Sequence, residues 1–250
     1  MTILPLTYLG GTEWFTRLLR GDCVIDIGEN WVKQTARNRC EIATASGVAT
    51  LTVPVHGGRF GGASGGGASS GGTKIPTRDV RIDNSKRWQH NHWISIVSAY
   101  RNSPFFDHYE ERFAPLYARK YDFLVDLNLE LLDVVLAALG VGGGVGASTG
   151  DVCRPAKILK NSVVASPEDV DLRGKKALRR QLSETDSLTE NGNNPADEHG
   201  NNSATEHACS QQYTQVFSDR MAFEPGLSIA DLLFCEGPTA AGLLRRWGGC

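Results

Sequence analysis

Residues 37–55 read RNRCEIATASGVATLTVPV, and this stretch decides the fold. Two runs with the residue types of β-strands flank Ala45-Ser46-Gly47. Gly47 can take the positive φ that a tight turn between two strands requires. The stretch therefore predicts a hairpin, so a sheet forms part of the fold.

Helix and strand patterns alternate on both sides of the hairpin. Thr12 to Arg20 has the apolar spacing of an amphipathic helix, whereas Cys23 to Ile27 and Asp79 to Ile82 predict short strands. Three helices are predicted next: one with an apolar face of Trp93, Ile96, Val97 and Tyr100, one that begins with Ser103 as N-cap and Pro104 as first residue, and one from Asp122 to Leu139. Further along, Ser228 and Asp231 form a capping box at the start of a fourth helix. Gly237-Pro238 ends that helix before a last one, which finishes near Trp247. The pattern predicts an α+β (mixed α/β) fold in which several helices pack on one small sheet with a hairpin.

Glycine is concentrated in two tracts. Of 28 glycines, nine lie in residues 57–72 and five in 141–150. Residues 183–207 hold six acids and no Lys or Arg, a composition that favours disorder. We therefore expect a single domain with a flexible Gly-rich insertion at 57–73, a Gly-rich loop at 141–150 and a disordered acidic insertion at 183–210. That domain comprises 1–56, 74–140, 169–182 and 211–250.

Charge and cysteine content narrow the function classes. The 26 Lys and Arg against 28 Asp and Glu give a net charge of −2, which argues against nucleic-acid binding. The basic run Arg173–Arg180 does not change this expectation, because the acidic insertion follows it directly. Six cysteines without a CxxC pair are typical of a reducing compartment, and neither a signal peptide nor an apolar stretch of membrane-spanning length is evident. These features predict a cytoplasmic protein without a membrane span.

Two motif matches carry little weight. Gly146 to Gly150 matches the GxSxG pattern of hydrolases, but it lies in a glycine tract instead of a turn between a strand and a helix. His90 and His92 form an HxH pair with no further ligand at helical spacing. We expect no metal and no cofactor.

A more informative polar cluster precedes the hairpin. Lys33, Arg37 and Arg39 lie close together in sequence, and an extended chain would place both arginines on one face. Guanidinium groups recognise phosphate and carboxylate bidentately, so this cluster suits a substrate that bears one of these groups. Alternatively, the arginines pair with acids of a neighbouring helix, for instance the stripe from Asp122 to Asp133.

Other polar residues allow two interpretations each. His92 is either a general base or a hydrogen-bonded histidine beneath the neighbouring tryptophans. Asp126 and Asn128 lie within a predicted helix, as site residues or as part of its solvated face. Asp231 is either a site residue or a helix cap.

The order of the motifs resembles that of the WbqC-like protein family. The similarity covers about residues 8–140 and 169–245. The matching motifs are Lys33-Gln34-Thr-x-Arg37-Asn38-Arg39, Leu51-Thr-Val-Pro54, Trp88 with His92-Trp93, Ser98-Ala-Tyr100-Arg-x-Ser103-Pro104-Phe-Phe106, Asp171-Leu-Arg173, Tyr213-x-Gln215-Val-Phe217 and Leu227-Ser-Ile-x-Asp231-Leu-Leu-Phe-x-Glu236-Gly-Pro238.

The resemblance implies a bacterial protein that modifies a sugar precursor of O-antigen. The leading hypothesis is a transferase that places a small acyl or aminoacyl group, such as glycine, on a nucleotide-linked sugar. Its expected residues are His92 as base, Asp126 or Asp231 to orient it, and a substrate-binding set of Lys33, Gln34, Arg37, Asn38, Arg39 and Gln215. The alternative is a ligand-binding or scaffold protein without catalysis, in which the same polar cluster is structural. The sequence predicts no oligomeric state.

Overall fold

The computed structural model describes residues 2–21, 23–56, 59–60, 73–141, 156–159, 170–171 and 212–249. The strands are β1 (Thr2–Pro5), β2 (Cys23–Asp26), β3 (Arg39–Thr44), β4 (Gly47–Thr52), β5 (Arg59–Phe60), β6 (Thr73–Lys74), β7 (Ala156–Leu159) and β8 (Val170–Asp171). The helices are α1 (Thr12–Leu19), α2 (Trp88–Tyr100), α3 (Phe106–Ala118), α4 (Leu124–Ala138), α5 (Ile229–Glu236) and α6 (Ala240–Gly248). The predicted mixed α+β class is confirmed, and the strands are divided among three small sheets.

The sheet that organises the fold is parallel, with the strand order β7-β2-β1-β8. α1 connects β1 to β2 and buries Trp14, Phe15 and Leu18. Every residue of β2 is buried, as expected when helices and loops cover both faces of a parallel sheet. The carboxyl ends of β1 and β2 therefore lie at the same edge, and the chain leaves both strands there.

The predicted hairpin is confirmed. β3 and β4 pair antiparallel from Arg39 with Thr52 to Thr44 with Gly47, and Gly47 has a φ of +116°. On the outer edge of β3, the Glu41 carbonyl accepts a hydrogen bond from the Ser228 N–H at 2.8 Å. The hairpin thus joins the central part of the chain to its C-terminal helices.

The strand predicted from Asp79 to Ile82 is wrong. A short 3-10 turn occupies Thr77–Asp79, after which Arg81 bridges to Phe123 and Ile82 to Val55. Each residue has a different partner, so no continuous ladder forms. Local apolar alternation cannot reveal this, because it does not show which chain segment lies alongside.

Ser103 does not cap the following helix, as we expected it would. α3 begins at Phe106, and the Ser103 hydroxyl instead donates to the Tyr100 carbonyl at 2.6 Å, at the end of α2. The Phe105 N–H donates to the Phe234 carbonyl of α5 at 3.0 Å, which fixes the entry to α3. Tertiary contacts thus delay the helix start by two residues.

The capping box predicted at α5 is only half formed. The Ser228 hydroxyl accepts the Ala230 N–H at 3.2 Å, as an N-cap should. The Ser228 N–H is already bonded to Glu41, so the Asp231 side chain does not return to it and instead accepts from Tyr213. Asp231 therefore contributes to the interior and not to the cap.

The turn after α5 follows the prediction. Gly237 has a φ of +55°, and a Cβ at this position would lie 2.5 Å from the Phe105 ring. Both the conformation and the close approach require glycine here. The chain then makes a 3-10 turn at Gly237–Thr239 and enters α6, which packs on α1.

The predicted insertions are largely outside the described residues. At the ends of the 57–73 tract, β5 and β6 pair antiparallel, whereas residues 61–72 are not described. Residues 142–150 and 183–210 also lie outside the described part of the chain. The predictions of flexibility and disorder, and the division of the domain around these insertions, stay predictions.

Candidate functional site

The segment from Glu29 to Arg39, here called the motif segment, leaves the carboxyl edge of β2. Open parallel sheets bind ligands at this edge, where loops from neighbouring strands meet. The loop after β1 meets the segment, because the Tyr8 N–H donates to the Ala36 carbonyl at 2.8 Å. Five of the nine predicted site residues lie on this segment, namely Lys33, Gln34, Arg37, Asn38 and Arg39.

A buried ion pair forms the base of the motif segment. Arg37 is 2% exposed and donates from Nε and Nη2 to the two carboxylate oxygens of Glu29, at 2.8 and 2.6 Å. The same guanidinium donates to the Thr35 hydroxyl at 3.1 Å. Arg37 therefore pairs with an acid of its own segment, not with the stripe from Asp122 to Asp133, and it does not offer a free fork to a substrate.

Arg37 and Arg39 do not share a face, contrary to the extended arrangement predicted from the sequence. The Asn38 N–H donates to the Thr35 carbonyl at 3.3 Å, so the chain turns before β3 begins at Arg39. The turn directs Arg37 inward and leaves Arg39 half-buried. Arg37 is therefore enclosed in the interior, whereas Arg39 is partly accessible from outside.

Two asparagines brace the inner side of the segment. Asn38 Nδ2 donates to the Val53 carbonyl at 2.9 Å, and Asn128 Nδ2, from α4, donates to the Arg37 carbonyl at 2.8 Å. In both residues Oδ1 is buried and has no hydrogen-bond partner among the described residues. Asn128 thus faces the interior, whereas Asp126 on the same helix is exposed to solvent.

The motif segment also carries nitrogen donors. Lys33 and Gln34 are exposed, and Gln34 has a φ of +59°, which is uncommon for a residue with a side chain. Trp31 Nε1 and Arg39 Nε are buried N–H groups without a hydrogen-bond partner among the described residues, on side chains that are only half-buried. An ammonium, a guanidinium and an indole N–H lie on one short stretch, a combination suited to an anion.

His92 lies beneath this edge and is sealed from solvent. His92 is 6% exposed, and its Nδ1 is hydrogen-bonded to the Tyr8 hydroxyl at 2.9 Å. The Tyr8 hydroxyl is in turn hydrogen-bonded to that of Tyr117 at 2.9 Å, and the Trp88 ring packs edge-on against the imidazole. Burial lowers the pKa of His92 to about 4, partly opposed by a hydrogen bond to the Thr52 backbone.

This arrangement favours the second interpretation of His92, a hydrogen-bonded histidine beneath tryptophan. The imidazole is neutral at pH 7, but aromatic rings separate it from solvent. The imidazole is linked to the motif segment through Tyr8, because the Tyr8 N–H donates to the Ala36 carbonyl. His92 therefore supports the segment from below.

Asp231 belongs to a different cluster. It is fully buried, and Oδ2 accepts from the Tyr213 hydroxyl at 2.5 Å. Burial raises the pKa of the Asp231 carboxyl, partly opposed by the nearby Tyr213 and Tyr100 hydroxyls. Tyr100 approaches the carboxyl but also accepts the Ala43 N–H at 3.1 Å, and Asp231 Oδ1 has no partner with hydrogen-bond geometry. Among the described residues, Asp231 makes no hydrogen bond to His92, which is bonded to Tyr8.

Gln215 closes a loop near Asp231. Its carboxamide donates to the Glu224 carbonyl at 2.7 Å and accepts the Glu224 N–H at 2.9 Å. Both polar atoms are therefore occupied by backbone. The structure does not bring Gln215, Asp126 or Asp231 to the motif segment, and these three roles stay predictions.

Four residues of the site, Tyr8, Glu29, Trp31 and Tyr117, were not among the predicted site residues. Glu29 and Trp31 lie within the polar stretch that precedes the hairpin, whereas Tyr8 and Tyr117 come from other parts of the chain. Asn128 did give a signal, because an asparagine within a helix lowers helix propensity. Glu29 lies three residues after the end of β2, and this position was the available signal for it.

A shallow cleft opens beside the carboxyl end of β1. It is lined mainly by apolar side chains, from Leu9, Trp14, Phe15, Leu131, Leu132 and Val135, together with Thr7 and Gly10. Leu9 has a φ of +45°. Strained backbone of this kind is frequent where a loop is held for function.

The described residues contain neither a membrane-spanning helix nor a metal-binding cluster. They contain no helix that is long and apolar enough to cross a membrane. Within the same ranges, no group of three or more His, Cys, Asp or Glu side chains could hold a metal ion.

Comparisons with known proteins give one match. No curated protein and no solved structure is similar to the chain. The family model described as the WbqC-like protein family matches residues 12–242 of the 250 residues, which includes the motif segment and all nine predicted site residues. The chain belongs to the WbqC-like protein family.

Proposed function

We propose that this chain is a transferase that places a small acyl or aminoacyl group on a nucleotide-linked sugar, in bacterial surface polysaccharide synthesis. Its substrates are soluble and phosphate-bearing, and we place the reaction in the cytoplasm. The motif segment binds the diphosphate of the nucleotide. Family membership supports the class of reaction, and the geometry of the segment supports the binding site.

One observation carries the binding site. Trp31 Nε1 and Arg39 Nε are buried N–H donors without a partner, and the exposed Lys33 lies between them in the chain. A buried donor that lacks a partner costs free energy, so a phosphate that accepts from these groups binds favourably. Arg37, already neutralised by Glu29, keeps the segment in place.

The small cleft beside β1 supports the other part of the proposal. Its mostly apolar lining suits a short acyl chain. The cleft and the motif segment follow neighbouring parallel strands, so both are at the carboxyl edge of the sheet. Donor and acceptor would meet at this edge.

A second function is favoured by the burial of His92 and Asp231. His92 is 6% exposed and Asp231 is fully buried, so neither is placed to take a proton from a substrate bound at the surface. A protein that binds the same phosphate-bearing ligand without catalysis explains this burial equally well. The two functions share the binding site and differ in whether product forms.

Removal of Lys33 or Arg39 should weaken the binding of UDP. We expect Lys33→Ala and Arg39→Ala each to raise the Kd about tenfold, or ~1.4 kcal/mol, because each variant loses a charge-assisted contact with phosphate. Isothermal titration at low salt measures this effect, and added salt should reduce the affinity of the wild-type chain.

Arg245→Ala is the matched control for this experiment. Arg245 is exposed on α6. The C-terminal end of α6, at Gly248, lies beside the C-terminal end of α1, at Thr16 and the following Arg20. This places it near the amino edge of the parallel sheet, away from the motif segment. The proposed site would be contradicted if Lys33→Ala and Arg39→Ala bound UDP with the wild-type Kd. It would also be contradicted if Arg245→Ala raised the Kd for UDP as much as these two variants do.

A further inference from the structure

Three polar side chains that are more than nine-tenths buried surround the Glu29–Arg37 pair and each leave one atom without a partner. Asn38 is 6% exposed, and Asn128 and Thr77 are each 1% exposed. The atoms concerned are Asn38 Oδ1, Asn128 Oδ1 and Thr77 Oγ1. Elsewhere in the described residues, Asp231 alone combines such burial with an unpartnered side-chain atom.

Hydrogen bonds connect the three residues through the ion pair. The Thr77 N–H donates to the Glu29 carbonyl at 2.8 Å, and Asn128 Nδ2 donates to the Arg37 carbonyl at 2.8 Å. Asn38 follows Arg37 directly in the chain. The turn that begins at Thr77 also packs on α4, which carries Asn128. These contacts place the three residues around Arg37, so that their unpartnered atoms can share one region behind it.

The free atom of each asparagine is its oxygen. In both residues the NH₂ group donates to a backbone carbonyl, which can only accept, so the orientation of the carboxamide is determined. The region thus offers two carbonyl oxygens as acceptors and the Thr77 hydroxyl, which can donate or accept. It requires a partner that donates hydrogen bonds.

The charges in this region select an uncharged partner. The Glu29 carboxylate is bonded to Arg37, so it is not a free counter-ion for a cation. The guanidinium of Arg37 also repels a metal ion or an ammonium group nearby. Hydroxyl groups fulfil both conditions, because they donate hydrogen bonds and carry no charge.

We propose that Asn38, Asn128 and Thr77 form a subsite for hydroxyl groups of the ligand, namely those of the sugar in a nucleotide-linked sugar. This inference rests on the proposed function, because it extends the same bound ligand from its diphosphate on the outer side of the motif segment to its sugar on the inner side. Residues 31–36, between the two sides, form neither helix nor strand and are half-buried or exposed. Entry of the sugar requires this stretch to move outward, which breaks the hydrogen bond from the Tyr8 N–H to the Ala36 carbonyl.

Thr77→Val is the sharpest test, because valine has the shape of threonine and the Thr77 hydroxyl makes no hydrogen bond that would be lost. The probes are UDP and UDP-glucose, titrated by calorimetry. The wild-type chain should bind UDP-glucose at least tenfold more tightly than UDP. Thr77→Val should lose this gain, keep the wild-type affinity for UDP, and melt at the same or a higher temperature.

Thr16→Val provides the matched control. Thr16 is also buried, but its hydroxyl donates to the Thr12 carbonyl within α1. This variant should keep the tenfold gain of the wild-type chain even if its melting temperature falls. The comparison separates loss of a hydroxyl in general from loss of this particular one.

The inference is overturned if the wild-type chain binds UDP-glucose no more tightly than UDP, or if Thr77→Val keeps the gain. If Thr77→Val melts at a lower temperature but still binds UDP-glucose more tightly than UDP, the Thr77 hydroxyl binds water within the protein and not the sugar. This result would also overturn the proposed subsite. Failure of the proposed function looks different, because Lys33→Ala and Arg39→Ala would then bind UDP like the wild-type chain. No binding of either nucleotide by the wild-type chain would overturn both.

Discussion

Replacing Arg37 by methionine is expected to lower the free energy of unfolding by about 3–5 kcal/mol. The variant leaves the Glu29 carboxylate buried without the two hydrogen bonds at 2.8 and 2.6 Å that Arg37 gives it. A buried charge that loses its partner costs several times more than the net gain from forming the pair. Equilibrium urea unfolding at pH 7 measures the change.

A second variant shows whether the loss comes from the stranded carboxylate. The double variant Glu29→Gln with Arg37→Met removes both charges and should recover at least half of the lost stability. Arg39→Met is the control, since Arg39 is half-buried and has no acidic partner among the described residues. A loss below about 1 kcal/mol in Arg37→Met, the range of an exposed pair, would refute the structural role of Arg37.

Acid should destabilise the chain through His92. The pKa of His92 is about 4 in the folded protein and 6.5 in an unfolded chain, because burial disfavours the imidazolium. As the pH falls below 6.5, the unfolded state takes up a proton that the folded state does not. The stability that His92 contributes is therefore complete above pH 6.5 and is lost progressively towards pH 4, by about 3 kcal/mol in total.

The comparison of His92→Gln with His90→Gln isolates this effect. Glutamine does not titrate, so His92→Gln should be less stable at pH 7 but should lose less on acidification than the wild-type chain. His90 is exposed on the same helix, and His90→Gln should follow the wild-type curve. Asp231 contributes an opposite slope, because its raised pKa favours the folded state in acid, but this slope is common to all three proteins. Parallel curves for His92→Gln and the wild-type chain between pH 8 and pH 4 would show that His92 is not buried as a neutral group.

Local sequence signals predicted the elements of the fold well. Apolar spacing identified α1, a turn glycine identified the hairpin, and Gly237-Pro238 identified the end of α5. These signals depend on residues within a few positions of one another. The strand expected at Asp79 to Ile82 failed because its pairing depends on Val55 and Phe123, which no local pattern reveals.

The sequence indicated the motif segment as a candidate site but did not predict which of its arginines is buried. The clustered cations Lys33, Arg37 and Arg39 indicated a binding site. A single turn at Asn38, however, separates the buried Arg37 from the accessible Arg39. The contacts of His92 with Tyr8, and of Asn128 with Arg37, span 84 and 91 residues. Contacts of this length depend on how helices pack, so periodicity and spacing cannot predict them.

The central claim is that the motif segment at the carboxyl edge of β2 binds a phosphate-bearing ligand. Titration of the ¹⁵N-labelled full chain with UDP-glucose, followed by backbone amide chemical shifts, tests it most directly. The largest shifts should fall in residues 29–39 and in the adjoining Tyr8 and Thr77. Shifts confined to the region around Gln215 and Asp231, or no shifts at saturating ligand, would contradict it.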